Sequence, residues 1–283
     1  MEQRPPWFVR FLPRCFVSRL TGRFARLELP GFLLRPFLRW YAKRYGVDLA
    51  DAVRPLEDYA SFVDFFTREL EPAARPLPED PAAISSPCDG TVAMTGRIDA
   101  GTLLQVKGHT YTLAALLADD ADAARFKGGT YAVLYLAPGD YHRFHWPFDG
   151  HVLEARGIEG DLWPVNESAV RSVPGLFTKN ARIACTGRVR TGGAFAYVPV
   201  GALNVGSIRL VFSNARTNPL RMDDQELAGT PWGRRGAEFG RFELGSTVIL
   251  ALSADAGTLE PPPIGTHVRM GEGIGMLADG GSS

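Results

Sequence analysis

Two histidines are the residues of this sequence whose type and spacing best fit proton chemistry. His142 and His145 lie three positions apart within residues 141–147, directly after a predicted strand. Histidine carries protons near neutral pH, and the aromatic and proline neighbours would partly desolvate this pair. The spacing also fits a metal pair or two surface histidines, although a metal site needs a third ligand that the sequence does not show.

Two short turns carry the other reactive groups. Residues 240–248 place Ser246 between Gly245 and Thr247, at the start of a predicted strand. Taken alone, Gly-Ser-Thr is typical of a turn, and it lacks the Gly-x-Ser-x-Gly pattern of a hydrolase nucleophile. Residues 85–90 place Asp89 in a proline and glycine turn, where an Asx-turn is the simpler interpretation.

The charge of the chain is unevenly distributed. Its formal net charge is zero, which argues against nucleic acid as a partner. Residues 1–45 nevertheless contain ten basic and two acidic residues, a net charge of +8, which leaves −8 for the remainder. This contrast predicts a basic arm on an acidic body.

The basic arm has the pattern of amphipathic helices. Apolar residues recur every fourth position between the arginines, at Phe8, Leu12, Phe16, Leu20 and Phe24. Pro13 would divide this stretch into two helices. A second stretch combines basic residues with aromatic ones, at Phe37, Trp40, Tyr41 and Tyr45. Both stretches could lie flat on anionic lipid, or they could pack on the body of the protein.

A third helix is predicted over about residues 58–70, where five apolar side chains recur at helical spacing and favour ordinary core packing. These side chains are Tyr59, Phe62, Phe65, Phe66 and Leu70. Pro72 would end this helix, and further prolines at positions 76, 78 and 81 predict a linker. We therefore divide the chain into a helical region, residues 1–72, and a β-rich region, residues 73–283.

Short β-rich segments, broken by glycine and proline, follow from residue 86 onward. Strands are predicted at residues 91–94, 130–136, 182–186, 195–200 and 207–212. Only one helix stands out among them, around residues 113–117. The expected fold class is α+β, with N-terminal amphipathic helices followed by a largely antiparallel β-sandwich or barrel-like domain.

The cysteines and the hydropathy of the chain indicate the cellular compartment in which the protein works. Cys15, Cys88 and Cys185 are far apart and form no Cys-x-x-Cys pair, which fits a reducing compartment. The N-terminus lacks the apolar core of a secretory signal, and no apolar run approaches the roughly 18 residues of a spanning helix. We therefore expect neither secretion nor a membrane-spanning segment.

Seven segments, taken in order, resemble the phosphatidylserine decarboxylases of the bacterial and mitochondrial type. They are DFFTREL at 64–70, SPCDG at 86–90, KGH at 107–109, YHRFH at 141–145, GDL at 160–162, VPGLF at 173–177 and LGST at 244–247. The resemblance runs over about three quarters of the chain. The first fifty residues match only in their basic and amphipathic character. Two positions depart from it, since Cys88 replaces a usual alanine and Ala181 a usual glutamate.

The resemblance implies that the chain cuts itself between Gly245 and Ser246. Ser246 would attack the carbonyl of Gly245, and elimination and hydrolysis would then leave a pyruvoyl group, the covalent cofactor of the family. His145 is the implied base of this cleavage, and Asp89 is the carboxylate that orients it. A β chain, residues 1–245, and an α chain, residues 246–283, would remain associated.

The implied activity is decarboxylation of phosphatidylserine to phosphatidylethanolamine and carbon dioxide. The substrate amine would form a Schiff base with the pyruvoyl group, and His142 is the implied acid that reprotonates Cα. The candidate residues for binding the substrate phosphate are Lys107, His109, Arg143 and Lys179. No metal is expected. The acyl chains would need no pocket if the basic helices hold the protein at the bilayer.

The expected location is peripheral, on the cytoplasmic face of the cell membrane, with anionic phosphatidylserine-containing lipid as partner. A homodimer is compatible with the resemblance, and nucleic acid is not an expected partner. Two alternatives stay open. One is a pyruvoyl-dependent decarboxylase of a soluble amino acid, which would give no reason for the basic arm. The other is a non-enzymatic β-sandwich module anchored to lipid.

Overall fold

The computed structural model describes residues 14–99, 102–106, 109–165, 167–203, 207–213, 230–243 and 247–279. Its helices within these ranges are α1 (Arg14–Ala25), α2 (Gly31–Tyr45), α3 (Phe62–Phe66), α4 (Leu113–Leu117), α5 (Asp120–Ala124), α6 (Glu167–Ser172) and α7 (Leu176–Lys179). None of these described helices combines the length and the apolar character that crossing a bilayer requires.

The strands of the same ranges are mostly short. They are β1 (Ala83–Ser85), β2 (Gly90–Arg97), β3 (Thr102–Val106), β4 (His109–Thr112), β5 (Thr130–Tyr135), β6 (Arg143–His145), β7 (Gly150–Ile158), β8 (Arg182–Val189), β9 (Ala194–Val200), β10 (Ile208–Leu210), β11 (Trp232–Gly233), β12 (Glu238–Phe242), β13 (Thr247–Leu252), β14 (Gly257–Leu259), β15 (His267–Val268) and β16 (Gly273–Leu277).

One large sheet organises the molecule. Its eight strands follow the order β11-β7-β8-β9-β13-β5-β2-β15, and each neighbouring pair is antiparallel. Two three-stranded sheets, β1-β16-β14 and β10-β12-β6, and the hairpin β3-β4 complete the described strands. The α+β fold class is thus confirmed. Within the described ranges the large sheet is open, with β11 and β15 at its edges, and does not close into a barrel.

Both faces of the large sheet are buried, as strand β13 shows. Val248, Leu250 and Leu252 join one apolar cluster, whereas Ile249 and Ala251 join another, because successive side chains of a strand point to opposite faces. The first cluster includes side chains of both three-stranded sheets, and the second includes side chains of α3 to α7. The molecule therefore has a sandwich layer on one face of the sheet and a helical layer on the other.

Helices α1 and α2 confirm the predicted N-terminal helices over their described part, which begins just after Pro13. Helix α2 ends where Gly46 takes a left-handed conformation with φ of 67° and donates its N–H to the carbonyl of Ala42. Leu34 and Leu38 are buried against the short segment that contains Leu56 and Tyr59. The opposite side of α2 is open to solvent, and Phe32 is 77% exposed there.

The predicted third helix is wrong in length. Of its five predicted core side chains, Tyr59, Phe65 and Phe66 are buried, whereas Phe62 and Leu70 are half-buried. Helix α3 covers Phe62–Phe66 only, and Ser61 caps its start. The backbone of residues 69–71 pairs with that of residues 51–53 and therefore does not continue the helix. Leu70 then forms a β-bridge with Ala52.

All five predicted strands and the one predicted helix of the β-rich region are confirmed. Strands β2, β5, β8, β9 and β10 overlap the five predicted segments, and α4 lies at the predicted position. Three short helices, α5, α6 and α7, were not predicted, since their four to six residues show no helical period. The division of the chain at residue 72 stays a prediction. Phe66 precedes residue 72, yet its side chain packs in the same apolar cluster as the helices that cover the large sheet.

Candidate active site

The two histidines lie beside the strand that leads to Ser246. Strand β6, which ends at His145, pairs with β12, and the N–H of Phe242 in β12 donates to the carbonyl of His142 at 2.9 Å. Gly245 and Ser246 lie outside the described residues. The chain is described again from Thr247, which is fully buried at the start of β13 and whose Oγ1 lacks a hydrogen-bond partner in the described structure.

His145 is held by hydrogen bonds at both ring nitrogens. Its Nδ1 lies 2.9 Å from the carbonyl oxygen of Gly236, and its Nε2 lies 3.0 Å from the hydroxyl of Tyr141. A carbonyl oxygen can only accept, so Nδ1 carries the proton and Nε2 accepts from the hydroxyl. Burial lowers the pKa of His145, although the bond to Gly236 opposes this shift. His145 is therefore a neutral imidazole with a basic Nε2.

Asp89 forms a buried ion pair with an arginine instead of a hydrogen bond with His145. Arg75 donates from Nε and Nη2 to its two carboxylate oxygens, at 2.9 and 2.6 Å, and the N–H of Met270 donates at 2.8 Å. The link between the two motifs runs through the backbone, because the N–H of His145 donates to the carbonyl of Pro87 at 2.7 Å. The orienting role of Asp89 stays a prediction.

His142 is fully buried and uncharged. Its ring stacks on Phe66, with 3.9 Å between ring centres and 16° between ring planes. Burial lowers its pKa to about 3, with a smaller contribution from the nearby charge of Arg68. Neither ring nitrogen has a hydrogen bond of good geometry with a described residue, although the backbone of Ala137 and Pro138 lies near enough to oppose the lowering of its pKa. The ring nitrogens of His142 therefore have hydrogen-bonding capacity that the described residues use only weakly.

The four residues predicted to bind the substrate phosphate differ in how far the structure describes them and in what they contact. Lys107 lies outside the described residues, and His109 lies in β4 with its side chain outside them. Lys179 is exposed in the last turn of α7. Arg143 is largely neutralised, because it pairs with Glu69 at 2.9 Å and with Glu238 at 2.8 Å. Neither of the two side chains that the structure describes, Arg143 and Lys179, has an evident anion site there.

Four residues at this site were missed by sequence reasoning. Tyr141 and Arg68 lie inside the quoted motifs, so their neighbours were the available signal. Arg75 lies in the proline-rich segment, residues 72–81, which the sequence predicts as a linker. Gly236 acts through its backbone carbonyl. Neither of the last two leaves a pattern in the sequence. Among the residues that the structure describes, no three His, Cys, Asp or Glu side chains are grouped as metal ligands.

An apolar cavity of about 660 Å³ lies next to the site. Aromatic side chains of α1 to α3 line one part of it, namely Phe24, Phe37, Trp40, Tyr41 and Phe66. Phe66 thus lines the cavity and also stacks on His142. The cavity therefore connects the N-terminal helices with the wall of the site.

A family model described as phosphatidylserine decarboxylase matches residues 62–276 of this chain. The chain belongs to the phosphatidylserine decarboxylase family. The phosphatidylserine decarboxylase proenzyme of Anaeromyxobacter sp. (strain K) is 42% identical over 278 residues, covering 95% of this chain and 97% of the relative. That of Bordetella pertussis is 42% identical over 277 residues, covering 94% and 92%. That of Shewanella frigidimarina is 39% identical over 279 residues, covering 94% and 95%.

Membership of the phosphatidylserine decarboxylase family confirms the resemblance drawn from the sequence motifs. The matched range, residues 62–276, contains Asp89, His142, His145 and the Gly245-Ser246 bond. That bond directly precedes β13, which lies between β9 and β5 near the middle of the large sheet. Strands β15 and β16 also pair with strands far upstream. A chain cut there would keep its C-terminal piece integrated in the fold.

Proposed function

We propose that the chain decarboxylates phosphatidylserine to phosphatidylethanolamine and carbon dioxide after cutting itself. The single observation that carries this proposal is the match to phosphatidylserine decarboxylase proenzymes over nearly the whole chain. The word proenzyme in their names fits a precursor that must be processed. The two buried histidines beside the strand that leads to Ser246 are consistent with such processing.

Maturation is proposed at the Gly245-Ser246 bond. Ser246 Oγ attacks the carbonyl carbon of Gly245, the C–N bond breaks, and an ester forms. Loss of the Cα proton of Ser246 then expels the Gly245 carboxylate, and the remaining dehydroalanine takes up water and releases ammonia. His145 suits the base of this sequence, since it is neutral and its Nε2 has a lone pair. The hydroxyl of Tyr141 donates to this lone pair. Tyr141 must therefore either move away from Nε2 or pass the proton of Ser246 on to it.

The buried surroundings fit a pyruvoyl group at position 246. Thr247 Oγ1 and both nitrogens of His142 are buried without a hydrogen bond of good geometry among the described residues, so polar groups are available there. A pyruvoyl group supplies a carbonyl that acts as an electron sink for decarboxylation. His142 is proposed to deliver a proton to the substrate Cα as a neutral imidazole, which gives up its N–H proton and takes up another at its second ring nitrogen. Phe66 covers one face of the ring against water.

Binding to an anionic membrane, on the cytoplasmic face, is proposed for helices α1 and α2. Large apolar side chains are exposed there, including Phe24, Phe32 and Trp40 at 62%, 77% and 57%. Arginines and a lysine lie between them in the sequence, as lipid-surface helices require. The apolar cavity beside these aromatics suits the lipid end of the substrate, although the sequence required no pocket. An enzyme for soluble amino acids would leave this surface unexplained.

The test compares the wild type with Ser246→Ala on denaturing electrophoresis, by intact mass and by phosphatidylserine decarboxylation. The wild type should give two fragments, and the smaller one should begin with a group that lacks the serine amine. Ser246→Ala should remain one chain of 30.9 kDa without activity. Thr258→Ala, at an exposed hydroxyl of the same fragment, is the control and should cleave normally. An uncut wild type that decarboxylates phosphatidylserine would contradict this route.

His145→Ala and Asp89→Ala extend this test to the cutting machinery. Both variants should cleave slowly or not at all, because each removes a group assigned to maturation. Cleavage at the wild-type rate in His145→Ala would exclude His145 as the base.

A further inference from the structure

Two arginines are buried in this protein without a carboxylate partner among the described residues. Arg68 is 3% exposed and Arg182 is 2% exposed. An arginine stays charged in proteins, and a buried charge is unfavourable unless hydrogen bonds or an opposite charge compensate it. The two residues therefore form a matched pair, and their hydrogen bonds can be compared.

Arg182 is fully engaged by the backbone. Its Nε donates to Leu116 at 2.7 Å, its Nη1 to the carbonyls of Thr178 and Asn180 at 2.8 and 3.0 Å, and its Nη2 to Ala115 at 2.7 Å. Each guanidinium nitrogen has a carbonyl partner. Arg182 therefore needs no ligand and has a structural role.

Arg68 is poorly engaged by comparison. Within the described structure only Nη2 donates hydrogen bonds. It donates to the carbonyls of Gly139 and Asp140, at the long distances of 3.3 and 3.2 Å. Its Nε is buried and has no hydrogen-bond partner there. The ring of Phe65 lies 5.8 Å from the guanidinium carbon, which offsets only part of the burial. A buried donor without an acceptor indicates a place for an anion.

The surroundings of Arg68 place this anion at the active site. Arg68 is close enough to His142 for its charge to lower the pKa of that ring. It also binds the carbonyls of Gly139 and Asp140, in the loop that leads to His142. The neighbouring Arg143 already holds two glutamates, so Arg68 is the better anion ligand of the two.

We propose that Arg68 binds the phosphodiester group of the substrate. This inference rests on the proposed function and adds a recognition residue to it. Only one oxygen and one carbon lie between the phosphorus and the reacting Cα of phosphatidylserine, so a phosphate ligand must lie near the residue that protonates Cα. A tight bond to the departing carboxylate would stabilise the ground state and slow the reaction, whereas the phosphodiester keeps its charge throughout.

The experiment measures two constants in matured Arg68→Gln and Arg68→Lys proteins, with Arg182→Lys as the buried-arginine control. The first is the KM for short-chain phosphatidylserine. The second is the inhibition constant of short-chain phosphatidylethanolamine, which has the phosphodiester and lacks the carboxylate. In Arg68→Gln both constants should rise by the same factor, about tenfold to a hundredfold. Arg68→Lys should recover part of this loss.

Arg182→Lys should lower the melting temperature and leave both constants unchanged. A rise of the KM without a rise of the inhibition constant would assign Arg68 to the carboxylate and overturn the proposal. Unchanged constants in Arg68→Gln would show a structural role and overturn it too. Failure of both Arg68 variants to mature would place Arg68 in folding or cleavage, which also contradicts the proposal. A wild type that does not decarboxylate phosphatidylserine would instead refute the proposed function.

Discussion

Arg75 and Asp89 form a two-point ion pair in which both side chains are more than nine-tenths buried. Nε and Nη2 of Arg75 donate to the two carboxylate oxygens of Asp89, and Nη1 donates to Asp51 at 2.8 Å. Burial opposes the charge of Arg75, but the two carboxylates outweigh it and raise its pKa. Asp89 is therefore held in a fixed position by a residue of the proline-rich segment.

The first prediction concerns this pair. Arg75→Lys keeps the charge but not the planar two-point contact, so Asp89 should lose its fixed orientation. Self-cleavage should slow by about tenfold or more, corresponding to roughly 1.4 kcal/mol in the barrier. The measurement is the time course of fragment appearance on denaturing electrophoresis, and melting temperatures check that the variant is folded.

Arg54→Lys is the matched control for Arg75→Lys. Arg54 also pairs with an aspartate, Asp64, but both side chains are partly exposed. Such pairs contribute little to stability, and this one lies away from Asp89 in the hydrogen-bond network. Cleavage should proceed normally in this control. Equal rates in both variants would show that the geometry of the Arg75 contact has no part in maturation.

The second prediction is a loss of stability in acid. The folded protein keeps His142 neutral down to a pKa of about 3, whereas its ordinary value is 6.5. Between these values the unfolded chain binds a proton that the folded protein does not, so the free energy of unfolding falls as the pH falls. The contribution is complete above the ordinary value and declines below it. Burial of His145 acts in the same direction.

His142→Phe should reduce this pH dependence, because it retains an aromatic partner for Phe66 and cannot titrate. The slope below the ordinary value should decrease by up to about 1.4 kcal/mol per pH unit, the equivalent of one proton. Urea unfolding of uncut Ser246→Ala protein, with and without His142→Phe, measures it between the two pKa values. The same slope in both proteins would mean that His142 is protonated in the folded state.

The third prediction concerns the association of the two chains after cleavage. Strand β13 would belong to the small chain, and it pairs with β9 and β5 of the large chain along its full length. Leu250 is completely buried on this strand. Leu250→Ala should weaken the association by about 2–5 kcal/mol and lower the urea concentration at which the chains separate on gel filtration.

Met276→Ala provides the control for this experiment. Met276 lies in β16 of the same small chain, and its side chain is substantially exposed. Truncating an exposed side chain should change stability only slightly. If Leu250→Ala and Met276→Ala separated at the same urea concentration, the central strand would not hold the chains together.

The fourth prediction tests the membrane surface. Phe32 and Trp40 are the most exposed aromatic side chains of helix α2. Replacing both by alanine should reduce flotation with phosphatidylserine vesicles by about tenfold or more, since each apolar side chain contributes roughly 1.5–3 kcal/mol when fully buried. Higher salt should weaken binding of the wild type further, because the basic side chains are screened.

The control replaces Ile264, which is 63% exposed but lies in the C-terminal part of the chain. Ile264→Ala should float with vesicles as the wild type does. Unchanged flotation of the Phe32→Ala, Trp40→Ala double variant would exclude this face of α2 as the membrane contact.

Much of the architecture follows from local patterns. The burial of both faces of β13 fits the nearly continuous apolar run of its six residues, and the basic aromatic segment of α2 is continuous in the chain. The length of α3 could not be predicted, because the residues that follow it pair with the backbone of residues 51–53, outside the helix. Its helical spacing continues to Leu70, but the backbone there pairs with Ala52 instead.

The sequence by itself determined the family and the candidate residues Asp89, His142, His145 and Ser246, because motif order is a property of the chain alone. Only the tertiary structure decided which partner each buried group has. Asp89 binds Arg75, and His145 binds the carbonyl of Gly236, 91 residues away. Arg68 was left with an unused donor. Such partners are chosen by packing and by the desolvation of charge, which leave no periodic signal in a sequence.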